Sequence, residues 1–260
     1  MLVKVVFFAV LGFLFLGMIA MQLVGHRFAL HRRENDPLAG SEGTAAVEAA
    51  LYALLGLMVA FTFSGAEERL NARRQLIVEE VSAIGTAYMR LDLLEPEDAL
   101  ILRDEMRAYL DARLAYYDKL LNFAGARAER RRADQLQQQI WNDAVAATGR
   151  AGDARAATLL VLQSLNQLFD VATARYAALR THVPGAIFIL LLALALVCAF
   201  FAGVGMARRR GHASPLHVLM FAGILAVVAY VILNLEFPRA GFVRLHGLDQ
   251  FLIEQRASMK

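Results

Sequence analysis

Four runs of this chain carry no charge: Val5–Gly25, Ala49–Gly65, Val183–Ala207 and Val218–Leu235, of 21, 17, 25 and 18 residues. A helix needs about 20 residues to cross the hydrocarbon core of a bilayer, with a range of roughly 17–25, so each run is long enough to span. The 58% hydrophobic content and the mean hydropathy of +0.46 exceed those of ordinary soluble domains, and they agree with a membrane chain. The first run is too long for the apolar part of a secretory signal, and Met18 stands where a small residue should precede cleavage after Ala20. It reads as a retained span.

Between the second and third runs lie residues 66–182, whose apolar positions recur at helical spacing. Leu70, Ile77, Val81, Ile84, Tyr88 and Leu91 make one stripe. Thr158, Leu162, Leu165, Phe169, Ala172, Tyr176 and Leu179 make another. Leu102, Met106, Tyr109, Arg113, Tyr117 and Leu120 form a third, interrupted only by the arginine, and Ala133, Leu136, Ile140 and Ala144 a shorter fourth beside Trp141. Pro96 suits the first turn of a helix, where a missing N–H costs nothing, and Glu97 and Asp98 suit its positive end. Gly125 and the GRAG of residues 149–152 are the expected breaks. Residues 66–91 are expected to continue the second span as one helix, and 153–181 to run on into the third.

The expected fold is therefore an all-α membrane protein of four transmembrane helices, with a long helical-bundle insert between the second and third spans. Its parts are residues 1–65 (two spans and a short basic loop), 66–182 (an extramembrane bundle), 183–236 (two spans) and 237–260 (an amphipathic tail). Counting crossings puts both termini and the bundle on one side, and the short loops 26–44 and 208–214 on the other. Those loops carry Arg27, Arg32, Arg33 and Arg208, Arg209, Arg210. Lys4, Arg69, Arg73, Arg74, Arg239 and Arg244 oppose them, so the positive-inside rule only slightly favours loops inside and bundle outside.

Chemistry-bearing motifs are few. There is no GxSxG, HExxH, Walker loop or CxxC, and nothing assigns catalytic residues or a cofactor. His26 and His31, like His212 and His217, are five apart and make no helical metal pair. Cys198 is the single cysteine, so an intramolecular disulfide is impossible. A net charge of +3, with basic residues interleaved with acids, gives no argument for nucleic acid, and the basic run at 127–134 reads as a solvated helix surface.

The span edges say more. Glu236 closes the fourth span, two residues after Asn234, on the side where Arg69, Arg73 and Arg74 emerge from the second. A carboxylate there is costly unless paired or wetted, so Glu236 is expected to pair with one of these arginines or to reach the headgroup layer. Ala53, Leu57, Phe61 and Gly65 step by four along the second span and share one face, a pattern equally open to packing and to a pore. Gly56 and Ala60 permit close helix contact.

The spacing Phe61–Ala66–Arg69–Arg74 at the end of the second span, with Glu236–Pro238–Gly241 and the segment LHGLDQFLIEQ after the fourth, resembles the bestrophin family, and more closely its bacterial bestrophin-like members. The likeness covers nearly the whole chain. It implies a homo-oligomeric, pentameric ion channel of the bacterial inner membrane, with second spans around a central path for ions. It also implies an apolar neck near Leu57 and Phe61, and a helical insert in the cytoplasm, against the slight charge bias. Leu70 and Asn71 replace tryptophans usual in the family, and the acidic calcium cluster of its animal members is not recognisable, so calcium gating is not carried over. Two other classes remain open: a membrane-anchored sensor or scaffold whose bundle binds a ligand or partner, and a membrane enzyme or transporter. The latter is weakened by the lack of paired ionisable groups within the spans.

Overall fold

The computed structural model describes residues 2–35, 42–120, 122–150, 155–210, 215–238 and 246–259. Within them the regular structure is helical: α1 (Leu2–Asn35), α2 (Glu42–Arg90), α3 (Pro96–Asp118), α4 (Phe123–Arg150), α5 (Arg155–Arg180), α6 (Gly185–Arg210), α7 (Pro215–Glu236) and α8 (His246–Ser258). Among the described residues four helical stretches are long and apolar enough to cross a membrane, and the uncharged runs of the sequence lie in α1, the first half of α2, α6 and α7. The expected second helix is unbroken over 49 residues, because no proline interrupts it. A single 3-10 turn, Leu91–Leu93, ends it. Glu95 is then extended, at ψ 143°, as the residue before a proline must be, and Pro96 opens α3 with Glu97 and Asp98 in its first turn.

Three expected boundaries shift. Helix α1 outlasts its apolar run and continues to Asn35, so the loop is shorter than residues 26–44. Gly125 does not break the chain; it lies inside α4, where the Asn122 side-chain oxygen accepts its N–H at 3.2 Å, and the turn comes earlier, at Lys119 and Leu120. Residues 155–180 do not run into α6 as one helix, for 181–184 are non-helical. Pro184 is the cause, since it has no N–H to give and pushes the residue before it out of the helical region. Residues 151 and 152 of the GRAG break and 211–214 of the second loop lie outside the described residues, as does Gly241.

The chain divides into two compact units. One comprises Met1–Leu70 and His182–Val243, the other Asn71–Thr181 and Arg244–Lys260, and α2 contributes to each. In the first, α1 packs chiefly on α6. The approach is so close that a Cβ at Gly203 would collide with the Gln22 carbonyl oxygen, and one at Gly25 with that of Phe200. Small residues at the crossing let the backbones meet, which is how helices associate where lipid removes the hydrophobic drive. Met18, Leu194, Cys198, Ala199 and Ala222 are buried around this crossing. Side-chain hydrogen bonds tie in α2 and α7: Tyr52 Oη donates to the Cys198 carbonyl at 3.3 Å, and Gln22 Nε2 to that of Val218 at 3.2 Å. An apolar cleft of about 390 Å³ lies among α1, α2, α6 and α7, bordered by side chains such as Phe13, Val59, Leu192 and Ala229.

In the second unit the sequence stripes converge. Ile77, Ile84 and Leu91 of the α2 stripe are buried, and so are Leu102, Met106 and Tyr109 on α3, Ile140 and Ala144 on α4, and Leu165 and Phe169 on α5. Leu252 of α8 and the following Met259 are buried in the same core. Arg256 of α8 makes two bonds to the Asp111 carboxylate on α3, at 2.8 and 3.0 Å.

Candidate functional site

In the first unit, Glu236 is the last residue of α7 and is fully buried. Its Oε2 accepts from Arg69 Nε of α2 at 3.0 Å. Its Oε1 accepts the Val183 N–H at 3.0 Å, and His182 Nδ1 lies 3.2 Å from the same oxygen. A carboxylate only accepts, so in that contact the imidazole carries its proton on Nδ1. The His182 ring stacks on Phe237, with centroids 4.7 Å apart. Pro184 keeps residues 182 and 183 out of helix, which frees the Val183 N–H, and Glu236 takes it. Several donors meeting one carboxylate offset the cost of burying it. The node therefore binds α7, α2 and the start of α6 into one arrangement.

The other two arginines of the α2 group have different surroundings. Arg73, in the second unit, is buried and donates from Nε to the Ala178 carbonyl at 3.1 Å and from Nη2 to that of Thr181 at 2.8 Å. It thus caps the C-terminal end of α5, where unpaired carbonyls and the helix dipole favour a cation. Arg74 is exposed.

The α2 face proposed from sequence is open. Leu57 and Phe61 are 50% and 65% exposed, and Ala53 is exposed beside them. On the opposite side Leu55, Thr62 and Ala66 are buried, with Thr62 Oγ1 bonded to the Met58 carbonyl at 2.7 Å. Gly65 is half-buried, and the Arg69 guanidinium occupies the space beside it, with Nη1 3.2 Å from where a Cβ would stand.

A second polar centre went unrecognised in the sequence. Glu80 of α2, fully buried, accepts from Arg113 Nε at 2.8 Å, with Arg113 Nη2 on the same oxygen and Arg175 Nη1 on the other. Arg175 lies over the Tyr117 ring at 3.6 Å from its centroid, and Arg113 Nη2 also donates to the Tyr117 oxygen. Burial, and then the neighbouring Glu80 charge, push the Tyr117 hydroxyl above the usual tyrosine range. The available signal was Arg113 on an otherwise apolar stripe, with Glu80 and Arg175 each three residues beyond a core position of its own helix. Charges of both signs at such places indicate a buried pair. Among the described residues no group of three or more His, Cys, Asp and Glu side chains is placed to hold a metal ion.

A Bestrophin-like domain model matches residues 9–246, which takes in the α2 stripe, the Glu236 node and the Glu80 centre. The chain belongs to the Bestrophin-like family. Solved structures agree on the Bestrophin-like fold. The chain is similar to a mutant of a bacterial bestrophin homologue from Klebsiella pneumoniae, with a TM-score of 0.72 and 15% identity over 96% of this chain and 97% of that one. A second structure of that homologue gives a TM-score of 0.70 at 15% identity, over 94% and 98% of the two chains. No curated protein matches the sequence. The four apolar helices and their helical partners are thus those of a Bestrophin-like membrane protein.

Proposed function

We propose that the chain is one subunit of a bestrophin-like ion channel, a ring of identical copies, pentameric by the family resemblance, whose α2 helices surround the ion path. The observation that carries this reading is the open stripe on α2: Ala53, Leu57 and Phe61 are exposed while the opposite side of the same helix is packed. Copies arranged about an axis bring these side chains into successive rings, with Phe61 nearest the polar end. Such rings form an apolar neck, which resists water and ions until it widens. The Glu236–Arg69 bond supports the reading by fixing where α2 leaves the membrane relative to α7, and so how Phe61 is presented. Residues 66–182 form the extramembrane bundle in this proposal. The bundle lies on the cytoplasmic side of the bacterial inner membrane, and the tail follows the fourth span on that side. The protein works as a conduit and not as an enzyme.

The test is ion flux through the purified protein reconstituted in vesicles. Phe61→Ala widens the proposed neck and lowers its apolar barrier, so flux rises by on the order of tenfold for a barrier lowered by about 1.4 kcal/mol. A ring-shaped assembly that passes no ions in either the natural protein or Phe61→Ala overturns the channel reading.

A further inference from the structure

The second unit contains a pair of carboxyl groups that ion conduction along α2 does not use. Glu105 lies on α3 where it packs against α4 and is only 8% exposed. Its Oε1 accepts from Gln139 Nε2 of α4. Its Oε2 is buried and meets no hydrogen-bond donor among the described residues. Beside it is Asp143, one turn beyond Gln139 on the same face of α4. Two ionised carboxylates can only accept, so as a pair of anions they have no bond to make. One proton between them supplies an O–H donor and an O⁻ acceptor, the strong form of such a bond.

Four arginines of the surrounding elements are engaged elsewhere. On α3, Arg103 pairs with Asp92 of the 3-10 turn, and Arg107 with Asp104 and the Tyr88 hydroxyl. On α4, Arg150 pairs with Asp98; on α8, Arg256 pairs with Asp111. One turn either side of Glu105 on α3 are Leu102 and Tyr109, both buried in the core.

We propose that Glu105 and Asp143 form a buried proton-binding site, in which one shared proton bridges α3 and α4. Burial foremost, and then Asp143, push the Glu105 carboxyl up to about 7, with the Gln139 bond opposing. The unfolded glutamate titrates near about 4.3. Between these values the folded protein keeps a proton that the unfolded chain has released, so stability falls as pH rises. The site's contribution is complete below the lower value, is lost through the window up to about 7, and changes no further above it. The α3–α4 contact is thereby tied to pH.

The experiment is thermal unfolding of the full-length protein in lipid nanodiscs from about pH 5 to about pH 8, with Glu105→Gln in parallel. The natural protein loses several degrees of midpoint across this window relative to Glu105→Gln, which carries a permanent donor toward Asp143, and Glu105→Gln is the more stable at the alkaline end. An infrared carbonyl band from a protonated, buried carboxyl is present on the acid side in the natural protein and absent in Glu105→Gln. Parallel stability profiles overturn the proposal. If the variant does not fold, the band decides: it must appear in the natural protein and bleach with a midpoint near neutrality, and its absence refutes the site. Calcium or sodium chloride that restores acid-side stability at about pH 8, in the natural protein but not in Glu105→Gln, makes this a metal-ion site and also overturns the proton.

Discussion

Replacing Glu236 tests whether the node at the end of α7 holds the first unit together. Glu236→Ala leaves the buried Val183 N–H without its acceptor, at a cost of about 1–3 kcal/mol. Arg69 also loses its charged partner. Because its side chain is 27% exposed, water takes over part of that role. The contribution of such a half-open pair is therefore closer to about 1 kcal/mol than to the 3–5 kcal/mol of a fully buried one. The expected total is about 2–4 kcal/mol for alanine. Glutamine keeps one oxygen for Val183 but turns an N–H₂ toward the Arg69 Nε donor, so Glu236→Gln costs less, about 1–2 kcal/mol. Unfolding by sodium dodecyl sulfate in mixed micelles, followed by circular dichroism, ranks the variants. Combining Glu236→Gln with Arg69→Met closes a double-mutant cycle whose coupling should reach about 1 kcal/mol. An alanine variant within about 0.5 kcal/mol of the natural protein, or a coupling of zero, refutes the node as a structural tie.

Two further substitutions address the packing of each unit. Glu80→Gln removes the one carboxylate between the Arg113 and Arg175 guanidinium groups, and should destabilise the second unit by about 3–5 kcal/mol, seen as early loss of helical signal on heating or as failure to accumulate. Normal melting would mean that these arginines find other partners. Gly203→Ala drives a methyl group into the Gln22 carbonyl and must separate α1 from α6, with an expected cost of about 1–3 kcal/mol or more in the same detergent titration; Gly223→Ala, at a position with open space, should cost far less.

The stripe arithmetic located the helices because the 3.6-residue period and the width of a bilayer act on any sequence in the same way. That is why four spans, the unbroken α2 and the start of α3 at Pro96 were legible. Boundaries were less so, where a side chain far from the breaker decides them. Asn122 starts α4 ahead of Gly125, and Pro184 separates α5 from α6 in a place where apolar periodicity reads straight through.

What the sequence determined by itself is the membrane character, the helical class and the order of elements, all of which follow from local composition and spacing. It also offered Arg69, Arg73 and Arg74 as partners for Glu236, with the headgroup layer as the alternative. The tertiary structure decided among them. Arg69 presents its Nε to Glu236 at 3.0 Å, whereas Arg73, one turn further along the same face of α2, meets the Ala178 and Thr181 carbonyls at the end of α5. The same holds for Glu80 and for Glu105: each appears in the sequence as one more charge on a helix. Only the packing of several helices around it removes the water, and it is the loss of water that makes a carboxylate require a particular arginine or proton.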